Sequence, residues 1–284
     1  MAADTWYGDP PPPHQSPDLA GWGRVVLRGV PLVLVIVLGL LLTLILHPLE
    51  RIFSKGNRHF TPHITVTVCR IALKIIGIRH RVSGHVMQGG GAFVANHAAW
   101  LDIFALNATA RLYFVSKAEV AGWPGIGWLA KATGTVFIQR DRKQAAAQVG
   151  VFKNRLAEGH KLLFFPEGTS TDGQRVLPFK PTLFAAFLAP ELRDEMQIQP
   201  VTVRYTAPEG QDARFYGWWG NMDLAPHLLQ MLAQRGHGQV QIILHPPVNA
   251  NEFADRKVMA KALQQVVSNG FDQAVIAERR SAKA

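Results

Sequence analysis

A single cysteine, Cys69, in 284 residues excludes an intramolecular disulfide framework and a cysteine-built metal cluster. It reads as a small apolar residue on a helix face. Acidic residues are also scarce. Twenty Asp and Glu stand against thirty Lys and Arg, giving a formal net charge of +10 and a pI near 10.0. Such an excess admits nucleic acid, an anionic membrane surface or an acidic substrate as partner. No nucleic-acid-binding module is visible, so nucleic acid is not expected. G-x-S-x-G, H-E-x-x-H and G-x-x-x-x-G-K-[ST] are all missing, which removes the serine elbow, the zincin helix and the P-loop. Gly89-Gly90-Gly91 lacks dinucleotide-motif spacing and reads as a turn. The eleven histidines are scattered without ligand spacing, so neither a metal nor a cofactor is expected.

Charge is missing altogether between Gly29 and Leu46. As a helix this run is about 27 Å long at ~1.5 Å per residue, close to the ~30 Å hydrocarbon core of a bilayer. A buried core helix is rarely apolar all round in a domain of this size. A secretory signal needs a small-residue cleavage site, and Leu46-His47-Pro48-Leu49 is not one. The division expected is therefore a disordered proline-rich tail over 1–23, a membrane-anchoring segment over 24–51 and one domain over 52–284. Arg24 and Arg28 nearly balance Arg51, Lys55 and Arg58 across the run. The charge asymmetry leans toward a domain on the cytoplasmic face of the inner membrane. With an anchor present, membrane lipids are the economical partner for the basic excess.

Beyond the anchor, apolar runs alternate with helical patterns. Helices are expected from Thr61-Pro62 to Gly77, over Trp100–Asn107 and over Gln144–Glu158. A further helical stretch, Glu252–Arg280, is bent or broken near Gly270. Strands are expected at Ala92–Ala95, Leu112–Ser116, Thr135–Gln139, Lys161–Phe165, Ile198–Arg204 and Gln239–Leu244. This order predicts an α/β fold, a mixed sheet layered by helices, with sites at the carboxyl ends of strands. Two aromatic clusters, Trp123–Trp128 and Phe215–Trp219, read equally well as core or as a membrane-interface belt.

Two stretches fall at such strand ends. Asn96-His97-Ala98-Ala99-Trp100-Leu101-Asp102 places a histidine and a carboxylate with four residues between them. Phe165-Pro166-Glu167-Gly168-Thr169-Ser170 places a glutamate and a glycine after another strand. A carboxylate on one imidazole nitrogen fixes the tautomer and stabilises the imidazolium, so the pair can act as a general base. On an ideal helix Asp102 does not face His97, and a turn after His97 is needed to join them.

Asn96-His97-x4-Asp102 resembles the H-x4-D motif of the glycerolipid acyltransferases, which include bacterial 1-acylglycerol-3-phosphate acyltransferase. Gly134–Arg140 resembles that family's second block, Phe165–Thr169 its third and Gln199-Pro200-Val201 its fourth. Val115–Glu119 resembles the segment bearing a family lysine. The resemblance implies a glycerol-3-phosphate acyltransferase-like fold. It also implies transfer of a fatty acyl group from acyl carrier protein or acyl-CoA to a lysolipid hydroxyl. His97 would be the base and Asp102 its partner. Asn96, Lys117, Arg140, Glu167, Gly168, Thr169 and Ser170 would contact substrate. One departure stands out: Ser170 occupies a place where the family usually has arginine. Either Arg175 replaces that cation, or the acceptor is not a simple phosphomonoester. Lyso-ornithine lipid, used by some bacterial members, is the second candidate beside lysophosphatidic acid. A lipid or thioester hydrolase using the same pair, and a non-catalytic membrane scaffold, are the rival readings.

Overall fold

A computed structural model describes residues 5–13, 16–53, 60–123, 125–138 and 145–281. An eight-stranded sheet organises the molecule, in the order β1-β7-β6-β2-β5-β3-β4, with β8 paired to β6. Its strands are β1 (Arg79–Ser83), β2 (Gly91–Ala95), β3 (Tyr113–Lys117), β4 (Val136–Ile138), β5 (Lys161–Phe164), β6 (Gln197–Thr206), β7 (Gln239–Leu244) and β8 (Val248–Asn249). β6 runs antiparallel to β7 and β8; the other pairings are parallel.

The central strands are buried on both faces, and their alternation feeds two cores. Phe93, Ala95, Leu163, Val201 and Val203 point to one side. There α2 (Thr61–Ile76), α3 (Asp102–Thr109) and α6 (Leu224–Ala233) cover them. Ala92, Val94, Leu162, Phe164 and Ile198 point to the other. That side is closed by α5 (Ala145–Ala157), the short turns of Pro181–Leu188 and α7 (Arg256–Ser281). Fully buried strands read as continuous apolar runs, which is why β2 and β5 are evident in the sequence.

The structure departs from the expected elements in four places. β1 reads Arg-His-Arg-Val-Ser and is mostly exposed, so as a polar edge strand it shows no apolar run. α4 (Ile126–Ala132) lies within the first aromatic cluster. α7 runs unbroken through Gly270. A Cβ at Gly270 would lie 2.6 Å from His245 and from the Thr202 hydroxyl, so this glycine serves close packing of helix on sheet and not a bend. The second aromatic cluster belongs to the core, with Phe215, Tyr216 and Trp219 all buried. In the first cluster, by contrast, Trp123 and Trp128 are exposed.

The charge-free run sits inside a longer helix, α1 (Leu19–Phe53). It is the one helix among the described residues long and apolar enough to cross a membrane, and only 17% of its apolar window is buried. A core helix would be mostly covered. Its inner stripe packs on α2 and α6. Glu50 near its end accepts hydrogen bonds from the Phe60 and Thr61 amides and the Thr61 hydroxyl, capping α2 from outside. Near its start, Arg24 donates to Ala233 O, and Arg28 to Leu232 O and Gln234 O. Both guanidiniums therefore satisfy carbonyls at the C-terminal end of α6. Ahead of α1, within the 1–23 stretch expected to be a disordered tail, Thr5–Pro13 instead lies against the domain and contacts residues of the 167–175 and 214–223 loops, and α1 itself begins at Leu19.

Candidate active site

Sheet register brings the two strand-end motifs together. β2 and β5 are parallel neighbours with Val94 opposite Phe164. Three residues further along each chain stand His97 and Glu167. The His97 amide donates to Glu167 Oε2 at 2.7 Å, across seventy residues of sequence.

The turn needed after His97 is present. α3 begins only at Asp102, so residues 98–101 fold back instead of continuing as helix. Asp102 Oδ2 accepts three hydrogen bonds: from His97 Nδ1 at 2.7 Å, from the Ala98 amide at 2.7 Å and from the Ala99 amide at 3.1 Å. One oxygen thus shapes the loop and orients the ring. Asp102 has no exposed surface, whereas the His97 side chain retains 21%. The imidazole stacks on Phe165, with centroids 4.0 Å apart and planes 13° from parallel. With Nδ1 bound to the carboxylate, Nε2 is left as the nitrogen available to a reactant.

The other carboxylate oxygen, Oδ1, is buried and faces the Tyr205 hydroxyl, in an approach that falls short of good hydrogen-bonding geometry. Burial, with the nearby charge of Asp102 second, pushes the Tyr205 phenol well above its usual range. Nothing local in the sequence marks Tyr205. It comes from β6, a hundred residues away from Asp102.

His97 borders a cavity of about 380 Å³ whose lining includes Ser116, Lys117, Phe165, Thr169, Ser170 and Trp219. Gly168 also borders it, and its φ of +75° is a left-handed conformation that suits glycine. Lys117, Gly168, Thr169 and Ser170 therefore share one cavity with His97. Arg140 lies outside the described residues.

Two expected substrate contacts are instead structural. The Asn96 side chain is buried, donating to Val203 O at 2.9 Å and accepting from the Val203 amide at 2.8 Å. It joins β2 to β6, is 1% exposed and does not line the cavity. Glu167 is 1% exposed, and its second oxygen accepts from the Leu177 amide at 2.7 Å. Burial is the chief cause that pushes its carboxyl up to about 8. The two amide donors oppose the rise and the Asp102 charge adds to it. Glu167 is therefore a brace for the His97 backbone. Arg175 does not take the place of the arginine that Ser170 displaces. It forks onto Asp172, at 3.2 and 2.8 Å, and is not among the cavity residues.

Further braces were not marked by any motif. The His97 carbonyl accepts from the Thr171 amide at 3.0 Å, and the Ala98 carbonyl from the Trp218 amide at 2.9 Å. His97 is thereby held from three loops, a preorganisation of the kind a proton-transfer site needs.

Comparisons with known proteins bear on the family and the fold. A family model described as Acyltransferase matches residues 77–204, which span both motifs and β2 to most of β6. A lyso-ornithine lipid O-acyltransferase of Rhodobacter capsulatus is 55% identical over 273 residues, covering 96% of this chain and 99% of that protein. Its namesake from Brucella abortus is 34% identical over 237 residues, covering 80% and 88%. Among solved structures, the 1-acyl-sn-glycerophosphate acyltransferase of Thermotoga maritima superposes with a TM-score of 0.65. That match covers 89% of this chain and 96% of that one at 19% identity, and so speaks to the fold alone. With a relative this similar over nearly its whole length, and the family model seated on the His97–Asp102 core, the chain belongs to the acyltransferase family.

Proposed function

We propose that this acyltransferase is membrane-bound and moves a fatty acyl group from a thioester donor, acyl carrier protein or acyl-CoA, onto the hydroxyl of a lysolipid. Lyso-ornithine lipid is the main acceptor and lysophosphatidic acid a weaker one. The domain faces the cytoplasm at the inner membrane. The observation that carries the chemistry is the 2.7 Å contact between His97 Nδ1 and buried Asp102 Oδ2 at a cavity wall. His97 Nε2 takes the proton of the acceptor hydroxyl. Asp102 stabilises the imidazolium so formed. The acceptor oxygen bonds to the thioester carbonyl carbon, the C–S bond breaks, and the proton passes from His97 to the departing thiolate. The products are an ester and a thiol. A positioned base contributes about 10²–10⁴-fold. Lys117 borders the same cavity and is the group placed to meet developing or resident negative charge.

The acceptor choice draws support from two observations. The relatives named for lyso-ornithine lipid match over most of their length. In addition, Ser170 stands where a family arginine is expected, and Arg175 is committed to Asp172. A charged hydrogen bond contributes roughly 1.5–3 kcal/mol. Without it a phosphomonoester is held about tenfold to a hundredfold less well, at ~1.4 kcal/mol per decade. Glu167, which is 1% exposed and does not line the cavity, is not placed to meet the cationic end of ornithine.

The test is acyl transfer by the full-length protein with each lysolipid, with and without the acceptor, followed by the same assays on His97→Ala. Ester product that requires a lysolipid, and a loss of about 10²–10⁴-fold in kcat on His97→Ala, is the expected outcome. Thiol release without an acceptor at the same rate points to a hydrolase, and near-normal turnover in His97→Ala removes the proposed base.

A further inference from the structure

The segment ahead of α1 takes no part in the chemistry above, yet it reaches the cavity. Thr5 lines the cavity together with Thr169, Ser170, Trp219 and Gly220. The next residue is held on several sides. The Trp6 amide donates to the Thr169 hydroxyl at 3.2 Å. Its indole lies 6.3 Å from that of Trp219, and the Arg175 guanidinium sits 5.2 Å above its ring. Further along, Trp219 Nε1 donates to Asp9 O at 3.1 Å, and the Tyr7 hydroxyl to Asn221 Oδ1 at 3.4 Å. A strap of five residues, Thr5–Asp9, is thus tied to the loop that carries Ser170 and to the loop over 214–223. The prolines that follow, Pro10–Pro13, stiffen the chain and lower the entropic cost of holding it there. Neither the strap nor residues 214–223 fall within the span 77–204 matched by the family model. Both lie beside Thr169 and Ser170.

We infer that this strap, held by Trp6, is a specificity-determining wall of the acceptor head-group subsite. The inference rests on the acyl-transfer reading and adds to it where discrimination between lysolipids resides. Thr5, Trp219 and Gly220 close that side of the cavity with neutral groups. Lys117 is the only lysine or arginine among the described lining residues. A phosphomonoester enclosed there gives up much of its hydration with Lys117 as the one described lysine or arginine to meet its two negative charges, whereas a head group of balanced charge loses less. Taking the strap away readmits water and relieves the penalty on the phosphomonoester.

The experiment measures kcat/KM for lyso-ornithine lipid and for lysophosphatidic acid, and KM for the acyl donor, on the full-length protein, Trp6→Ala and Trp6→Phe. Trp6→Ala is expected to lower the ratio of the two kcat/KM values about tenfold, through acceptor KM and with donor KM unmoved. Trp6→Phe keeps a ring over which Arg175 can sit and is expected to retain the ratio. An unchanged ratio in Trp6→Ala overturns the strap proposal while leaving the acyl-transfer reading intact. So does a loss confined to kcat and equal for both acceptors. A wild-type protein that acylates neither lysolipid removes the acyl-transfer reading, and the strap proposal with it.

Discussion

The residue that carries most of the site's architecture is one that does not line the cavity. Glu167 accepts the His97 amide with one oxygen and the Leu177 amide with the other. Its carboxyl is held near pKa 8 in the folded chain, against an ordinary value of 4.5, chiefly by burial. The folded state therefore binds this proton more tightly than the unfolded chain does. The stability this confers is fully present below the unfolded value and is lost as pH rises through about 8. Thermal midpoints followed from pH 5 to 9 are expected to fall for the wild type and to fall less for Glu167→Gln. The glutamine offers an amino group to one of two amide donors, so it is also expected to be less stable throughout, by about 1–3 kcal/mol. An identical pH slope in both proteins would show that Glu167 is not the titrating group. Ser170 makes a second prediction at this scale. Ser170→Arg is expected to raise kcat/KM for lysophosphatidic acid by about ten- to a hundredfold relative to lyso-ornithine lipid. A ratio that stays put would remove the argument built on the missing arginine.

At the scale of elements, the site is a product of strand register. The Asn96 side chain joins β2 to β6 through both backbone groups of Val203. Asn96→Ala leaves that donor and acceptor buried and unpaired. It is expected to cost about 2–4 kcal/mol of stability, with acceptor KM changing little in the folded fraction. A higher acceptor KM at unchanged stability would return Asn96 to the substrate.

The same scale separates what the sequence announces from what it conceals. His97 and Asp102 are legible because their partnership is local: a turn of four residues, with Ala98 and Ala99 small enough to fold back onto one carboxylate oxygen. β2 and β5 are legible because both faces of each are buried. The roles of Asn96 and Glu167 are not legible, because a motif position says which residue is needed and not which neighbour it meets. Their partners, Val203 and Leu177, are set by pairing and loop closure. Gly270 misleads for a related reason. A glycine within a helical pattern signals a break when only its own helix is considered, yet here the space it leaves is filled by His245 and Thr202. Trp6 and Thr169 meet across 163 residues, and no local pattern encodes such a contact.

At the scale of the whole molecule, α1 presents most of its apolar surface outward. The exposed Trp123 and Trp128 are indoles of the kind that favour a membrane boundary. Arg24 and Arg28 are engaged at the end of α6. They are therefore poor guides to orientation by charge alone. Burial of apolar surface in lipid is indifferent to salt, whereas attraction of a basic surface is screened over ~3 Å at 1 M. The full chain is expected to remain with membranes through a 1 M salt wash, and a chain starting at Ile52 to be released by it. Release of both would show that charge, and not α1, holds the protein in place.

The volume of the His97 cavity has a consequence for how such a protein meets its reactants. About 380 Å³ is near the lower end of what encloses one drug-sized molecule. Two fatty chains, as the proposed donor and acceptor would bring, exceed that volume. On the proposed reaction, only the reacting ends would enter, and the tails would stay in the lipid phase into which α1 is proposed to insert. The quantity that drives turnover is then the lysolipid's mole fraction in that two-dimensional phase, not its concentration in the bulk. At a fixed total lysolipid, adding inert lipid should slow the reaction by surface dilution, and a rate that ignored the dilution would mean that the tails are drawn into the protein after all.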